Sequence, residues 1–229
     1  MKEIEPIAFF RSPLTSKFGV PRQSGLAPRL RGRIVFEPKY QNADALRGLE
    51  DFDYVWLIWG FSHAVRHKGG ANEPNSFVPT VRPPRLGGNQ HVGVFASRSP
   101  FRPNGLGLSS VRIVGIEGTD IVVAGADLMD GTPIYDVKPY LREADSHADA
   151  RSGFTDTHPW HTLRVDLPAS LSQMLTAQEA SALIDVLAQD PRPQYQQDED
   201  RVYGMAYSHY NVRFRVSGGT LYVVSIESE

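Results

Sequence analysis

Apolar positions in the first 145 residues fall in short runs, and a Pro or Gly closes each run within a few residues. IEPIAFF, GRIVFE, YVWLIWGFS, HVGVFAS, SSVRIVGIEG, TDIVVAGADL and TPIYDVKPYL all read as strands. In HVGVFAS the alternation of Val92, Val94 and Ala96 marks one buried face. Only NADALRGLED, between two strands, looks like a short helix. Many short strands with frequent turn signals predict an all-β barrel or sandwich over residues 1–145. No strand runs through a G-x-G-x-x-G turn into a helix, so a doubly wound nucleotide site is not expected.

Residues 146–161, SHADARSGFTDTHPWH, are polar and read as a linker. Beyond them the period changes. Thr176 and Glu179 form a capping-box pattern, each able to satisfy a free N–H at a helix start. Ala180, Leu183, Ile184 and Leu187 follow at helical spacing, and Pro191 requires the helix to end before DPRPQY. YGMAYSHYNVRFRV and TLYVVSIES, joined by Ser-Gly-Gly, read as a hairpin. Residues 162–229 therefore form a small α+β unit, too small to be stable alone and expected to pack on the β domain or a partner subunit. The chain is mainly β.

Composition sharpens this picture in two respects. The 229 residues include no cysteine, which excludes a disulfide scaffold, thiolate metal sites and cysteine nucleophiles, and fits a reducing cytoplasm. Acids in MKEIEPIAFFRSP break its apolar run, so neither a signal peptide nor a membrane span is expected there. The net charge of −2 argues against a nucleic-acid partner, but its distribution does not. No acid lies between Glu5 and Glu37 or between Glu73 and Glu117, while Arg11, Lys17, Arg22, Arg29, Arg31, Arg33, Arg82, Arg85, Arg98, Arg102 and Arg112 do. Folded onto one surface, these stretches would suit a phosphate backbone; chance clustering on a solvated face is the competing account.

Stiff loops carry the candidate chemistry. In RSPFRPNGLG, residues 98–107, Pro100 and Pro103 fix φ, so Arg98, Arg102 and Asn104 are presented without flexing, as fork-shaped donors for an anion and an amide for a base edge. A structural crossover whose arginines cap carbonyls is the alternative. VPRQSG (20–25) and VRPPRLGG (81–88) repeat the Pro-Arg device and suggest a positively charged mouth at one end of the domain. In MDGTPIYDVKPYL, Asp130-Gly131 signals a turn, after which Asp136, Lys138 and Tyr140 share one strand face as either a surface ion pair or a proton-handling set. Asp190-Pro191-Arg192-Pro193-Gln194-Tyr195 displays a cation beside an aromatic, suited to an exposed base or to capping the helix end. His63 with His67, and His158 with His161, lack a third ligand, and no metal is expected. Ser109 lacks a nucleophile-elbow context.

GVPRQ, TVRPPRLGG, GVFASRSPFRPNGLGLS, DLMDGTPIYDVKPYL and DPRPQY, in that order, make the chain resemble the TrmO (TsaA-like) family. The resemblance implies an S-adenosylmethionine-dependent methyltransferase built on a β-barrel, acting as a homodimer on N6 of N6-threonylcarbamoyladenosine at position 37 of tRNA. It places cofactor contacts at Pro21, Arg22, Gln23, Ser62, His63, Arg98, Leu108, Asp130, Gly131, Thr132 and Pro133. Ser62-His63 departs from the family's His-Gln pair and is followed by an insertion, AVRHKGGANEPNS. Asp136, Lys138, Tyr140 and Asn104 are candidates for orienting the acceptor or taking its proton, and Arg82, Arg85, Arg102, Arg192 and Tyr195 for holding tRNA. A non-catalytic RNA-binding barrel and a small-molecule methyltransferase are the rival readings.

Overall fold

The computed structural model describes residues 3–61, 78–193 and 198–228. The first part is a closed antiparallel barrel of β1 (Ala8–Arg11), β2 (Arg31–Phe36), β3 (Tyr54–Gly60), β6 (Leu106–Glu117), β7 (Asp120–Ala124) and β8 (Pro133–Pro139), in the order β1-β2-β7-β6-β3-β8. A small ribbon, β4 (Thr80–Val81) with β5 (Val92–Gly93), lies in the β3–β6 connection. Period-two patterning drives closure: Phe10, Ile34, Val55, Leu57, Trp59, Val111, Ile121, Val123 and Ile134 point inward and fill one core.

The second part packs α4 (Ala177–Ala188) on a sheet of β9 (Arg164–Asp166), β10 (Tyr203–Tyr207), β11 (Tyr210–Ser217) and β12 (Thr220–Ser228). Short helical turns α1 (Arg142–Asp145), α2 (Phe154–Thr157) and α3 (Ala169–Ser172) precede α4. The capping box forms as the sequence predicts, with Thr176 Oγ1 accepting from Glu179 N and Glu179 Oε2 accepting from Thr176 N. Leu183 and Leu187 are fully buried.

Three local readings change. HVGVFAS is not a core strand: it pairs only at Val92–Gly93 and then forms a 3-10 turn, Val94–Ala96, leaving Phe95 69% exposed. Its alternation is too short to fix a strand when, among the described residues, its one strand partner is the two-residue β4. NADALRGLED forms two single 3-10 turns, Ala43–Leu46 and Leu49–Asp51, because Asn42 caps the first and its chain leaves helical geometry at Arg47. The C-terminal hairpin is a three-stranded meander: Ser208 takes φ 57° and splits YGMAYSHYNVRFRV into β10 and β11.

The two parts share a core. Leu14, Ala27 and Leu30 from the β1–β2 loop belong to the C-terminal cluster, with Phe18 and Val20 against it. Arg29 grips Asp185 of α4 through its Nε and Nη2, and Gln178 and Gln189 donate to the Arg29 and Leu26 carbonyls at 2.7 and 3.0 Å. The β1–β2 loop is thereby pinned from outside the barrel.

Candidate functional site

Strand direction alternates around the barrel, so the ends of β1, β3 and β7 and the starts of β2, β6 and β8 lie at one rim. The connections leaving that rim are residues 12–30, 61–105 and 125–132. They carry VPRQSG, VRPPRLGG, RSPFRPNG and the DGTP turn. Loops far apart in sequence thus form one mouth, and the C-terminal unit packs on its first loop.

At the mouth Arg98 Nη1 donates to Gln23 Oε1 at 2.6 Å, and Gln23 Nε2 donates to the Arg22 carbonyl at 2.6 Å. This joins two Pro-Arg loops 75 residues apart. Behind them a chain of polar groups reaches into the barrel end: Trp59 Nε1 donates to Ser109 Oγ at 3.0 Å, and Ser109 Oγ donates to Asp127 Oδ1 at 2.5 Å. Burial pushes the Asp127 carboxyl above its ordinary value, against the opposing pull of the Ser109 hydrogen bond, the Arg98 charge and a backbone donor at Ser24. Ser109 is only 2% exposed, and the Trp59 ring lies 4.3 Å from that of Phe61. Gly107 makes this possible, since a Cβ there would sit 2.3 Å from the indole.

The DGTP turn is fastened to β1. Asp130 N donates to Leu14 O, Gly131 N to Phe10 O, and Ser12 N to Asp130 Oδ1, all at 2.8–3.0 Å. Gly131 takes φ 75°, which favours glycine, and Thr132, 3% exposed, donates its hydroxyl to Met129 O. Pro133 opens β8 and would touch a Cβ on Gly60, so the turn abuts the end of β3.

Several residues singled out from sequence lie elsewhere. Pro21 is buried, and the Arg22 guanidinium stacks 4.4 Å over the Trp160 ring. Leu108 points outward, 56% exposed, in a cross-strand row with Ile58 and Asp136. Asp136 and Lys138 form an ion pair at 3.4 Å on that outer wall, while Tyr140 packs on Tyr54 and Trp56. Asn104 is exposed. Arg102 donates to the Val94 and Ser97 carbonyls, so its charge serves the loop's own shape. Arg82 donates to His91, Arg85 to the His158 carbonyl, and Arg192 holds Asp190 through Nε and Nη2 at 2.8 and 2.9 Å. Ser62, His63 and Tyr195 lie outside the described residues.

Trp59, Ser109, Asp127 and Trp160 were not selected from sequence. A signal did exist for Asp127, a carboxylate ending the buried run IVVAGADL, where charge is rare unless partnered. Among the described residues no group of three His, Cys, Asp or Glu side chains is placed to hold a metal, and no helix is long and apolar enough to cross a membrane.

Known proteins match this chain over both parts of the fold. The family model described as tRNA-methyltransferase O N-terminal domain matches residues 9–146, and that described as TrmO C-terminal domain matches 161–229. The chain is 38% identical over 237 residues to an Escherichia coli tRNA (adenine(37)-N6)-methyltransferase, covering 98% of this chain and 97% of that protein. It is 42% identical over 209 residues to a Pseudomonas aeruginosa protein named "Putative S-adenosylmethionine-dependent methyltransferase RcsF", covering 88% of this chain and 87% of that protein. A crystal structure of TrmO from Pseudomonas aeruginosa superposes with a TM-score of 0.80 at 32% identity, over 100% of this chain and 99% of that one.

Proposed function

The chain belongs to the tRNA-methyltransferase O family, and on that premise we propose that it methylates N6 of the adenine at tRNA position 37, the acceptor being N6-threonylcarbamoyladenosine. It is a tRNA methyltransferase of mainly β, barrel architecture. The observation that carries the finer reading is the convergence of the Pro-Arg loops and the DGTP turn on one rim, with Arg98, Gln23 and Asp127 gathered there.

The mouth suits S-adenosylmethionine, which offers one carboxylate and two positive centres. Arg98 would take the carboxylate, and the carboxylates of Asp127 and Asp130 would face positive charge; Gln23 and the turn Asp130–Pro133 complete the candidate contacts at the mouth. When bound, S-adenosylmethionine supplies a methyl group on a cationic sulfur, and the pair of the breaking C–S bond stays with sulfur. The chain's task is alignment and proton removal. Loops stiffened by Pro100 and Pro103 and fastened by Gln23 hold the reacting groups in line, which is where most of the rate of such a displacement arises. The acceptor nitrogen carries a carbonyl and is a weak nucleophile, so its N–H proton needs an acceptor. Asp136, on the outer wall three residues beyond the Pro133 rim, is our candidate to take it, with Lys138 paired to it at 3.4 Å.

The arginine-rich loops support tRNA as partner, and a chain without cysteine fits the reducing cytoplasm as the place of action. Leu108, 56% exposed on the outer barrel wall, supports a second copy of the chain there. Incubation with labelled S-adenosylmethionine and tRNA with or without the threonylcarbamoyl group tests the reading. Label confined to the modified tRNA supports it; tRNA binding without label returns an RNA-binding barrel, and neither returns a small-molecule enzyme. Arg98→Ala should abolish cofactor binding in calorimetry, and unchanged affinity removes Arg98 from the site. Asp136→Asn should leave that affinity intact and slow turnover; wild-type turnover discards its proton role.

A further inference from the structure

Beside the mouth lies a second cleft of about 370 Å³, lined by Arg22, Arg85, His158, Trp160 and Asp190 among others. Two guanidiniums converge on one indole: Arg22 lies 4.4 Å and Arg85 5.8 Å from the Trp160 ring. Arg22 Nη1 and Trp160 Nε1 are both buried without a hydrogen-bond partner among the described residues. Both atoms are donors and cannot satisfy each other. Native structures rarely leave two such groups orphaned in one place, and the cost falls when a ligand brings acceptors. The charge balance specifies that ligand further. Asp190 reaches the cleft, but Arg192 holds both its oxygens, which leaves Arg22 and Arg85 in excess. Excess guanidinium with unmet donors selects an oxyanion over a neutral carbonyl.

The cleft and the mouth share a wall. The Arg22 carbonyl accepts from Gln23, which in turn accepts from Arg98 at the mouth, while the Arg22 guanidinium lines the cleft over Trp160. A molecule reacting at the mouth can therefore extend an anionic group into the cleft. The geometry points to the Arg22–Trp160–Arg85 cleft as the site that receives an oxyanion of the RNA substrate, either a backbone phosphate or the carboxylate of the modified base. This rests on the tRNA reading above, gives Arg85, already a candidate tRNA contact, its place in this cleft, and adds Trp160 as a positioning residue for it.

The test uses the full chain with Arg85→Ala, Arg85→Lys and Trp160→Phe, each checked for an unchanged melting curve. Dissociation constants are measured for tRNA with and without the threonylcarbamoyl group at several salt concentrations, and for S-adenosylmethionine by calorimetry. Arg85→Ala should weaken tRNA binding about tenfold or more, the scale of one charged hydrogen bond. Arg85→Lys should recover part of it, Trp160→Phe should lose severalfold, and cofactor affinity should hold. Equal loss on both tRNAs, with a salt slope smaller by about 0.7 to 0.9, identifies a phosphate. Loss confined to the modified tRNA identifies the carboxylate. Unchanged affinity for both tRNAs overturns the inference, as does a matching fall in cofactor affinity, which would assign the cleft to the cofactor. A wild type that binds tRNA without methylating it sinks the catalytic reading and leaves the cleft standing.

Discussion

Replacing Ser109 by Ala removes the link between the barrel core and the mouth. Its hydroxyl donates to Asp127 Oδ1 and accepts from Trp59 Nε1, and the side chain is 2% exposed, so neither partner gains water in exchange. The lost charge-assisted hydrogen bond is worth about 1.5–3 kcal/mol, and the stranded indole N–H costs about 1–3 kcal/mol. The two share one atom and do not add in full, so we expect a destabilisation of about 2–4 kcal/mol. For a chain of this length that lowers Tm by roughly 4–16 °C in a calorimetric melt at neutral pH. The effect depends on pH with a definite sign. Ser109 favours the ionised form of Asp127, whose folded pKa is raised by burial. Its contribution is therefore full above that folded value and fades as pH falls through it. Asp127 alone runs the other way: between its ordinary value and the raised one the folded state holds an extra proton, so folding weakens as pH rises through that window. In a Trp59→Phe background the indole N–H is gone, and Ser109→Ala should cost measurably less. A loss below about 0.5 kcal/mol at neutral pH, typical of ordinary surface changes, would refute the network.

Two further changes probe the scaffold. Gly107→Ala places a Cβ 2.3 Å from the Trp59 indole with no φ strain, so overpacking alone should cost about 1–3 kcal/mol in a denaturant melt and shift Trp59 fluorescence. An unmoved fluorescence maximum would show that the rim has room. Thr176→Ala removes the acceptor for Glu179 N at the start of α4 and should cost about 1 kcal/mol by chemical unfolding, with cofactor affinity unchanged. A larger loss would mean that the helix start also carries tertiary contacts.

The reach of the sequence depended on the range of the interactions that decide each feature. Period-two runs such as YVWLIWG, the capping box at Thr176–Glu179 and the stop before Pro191 rest on contacts within a few residues, and they were legible as strands, helix start and helix end. The stiffness of RSPFRPNG was equally local, because prolines set φ wherever the loop lies. Short segments with weak local preference were not fixed in this way. HVGVFAS, given only a two-residue pairing with β4, and NADALRGLED, whose backbone leaves helical geometry at Arg47, took turns instead of a core strand and a helix. Only closure of the barrel brought residues 23, 98 and 127 to one rim, and nothing in their spacing says that Ser109 would point inward at Asp127 while Leu108 points out. Arg22 shows the limit most clearly. Its charge and its rigid loop are written in VPRQSG, but the direction of its side chain was set by Trp160, 138 positions away in a segment that reads as linker. Local chemistry determined which groups this protein could present; the long-range packing of the C-terminal unit on the β1–β2 loop decided which of them meet, because hydrogen bonds and stacking act only over a few ångströms.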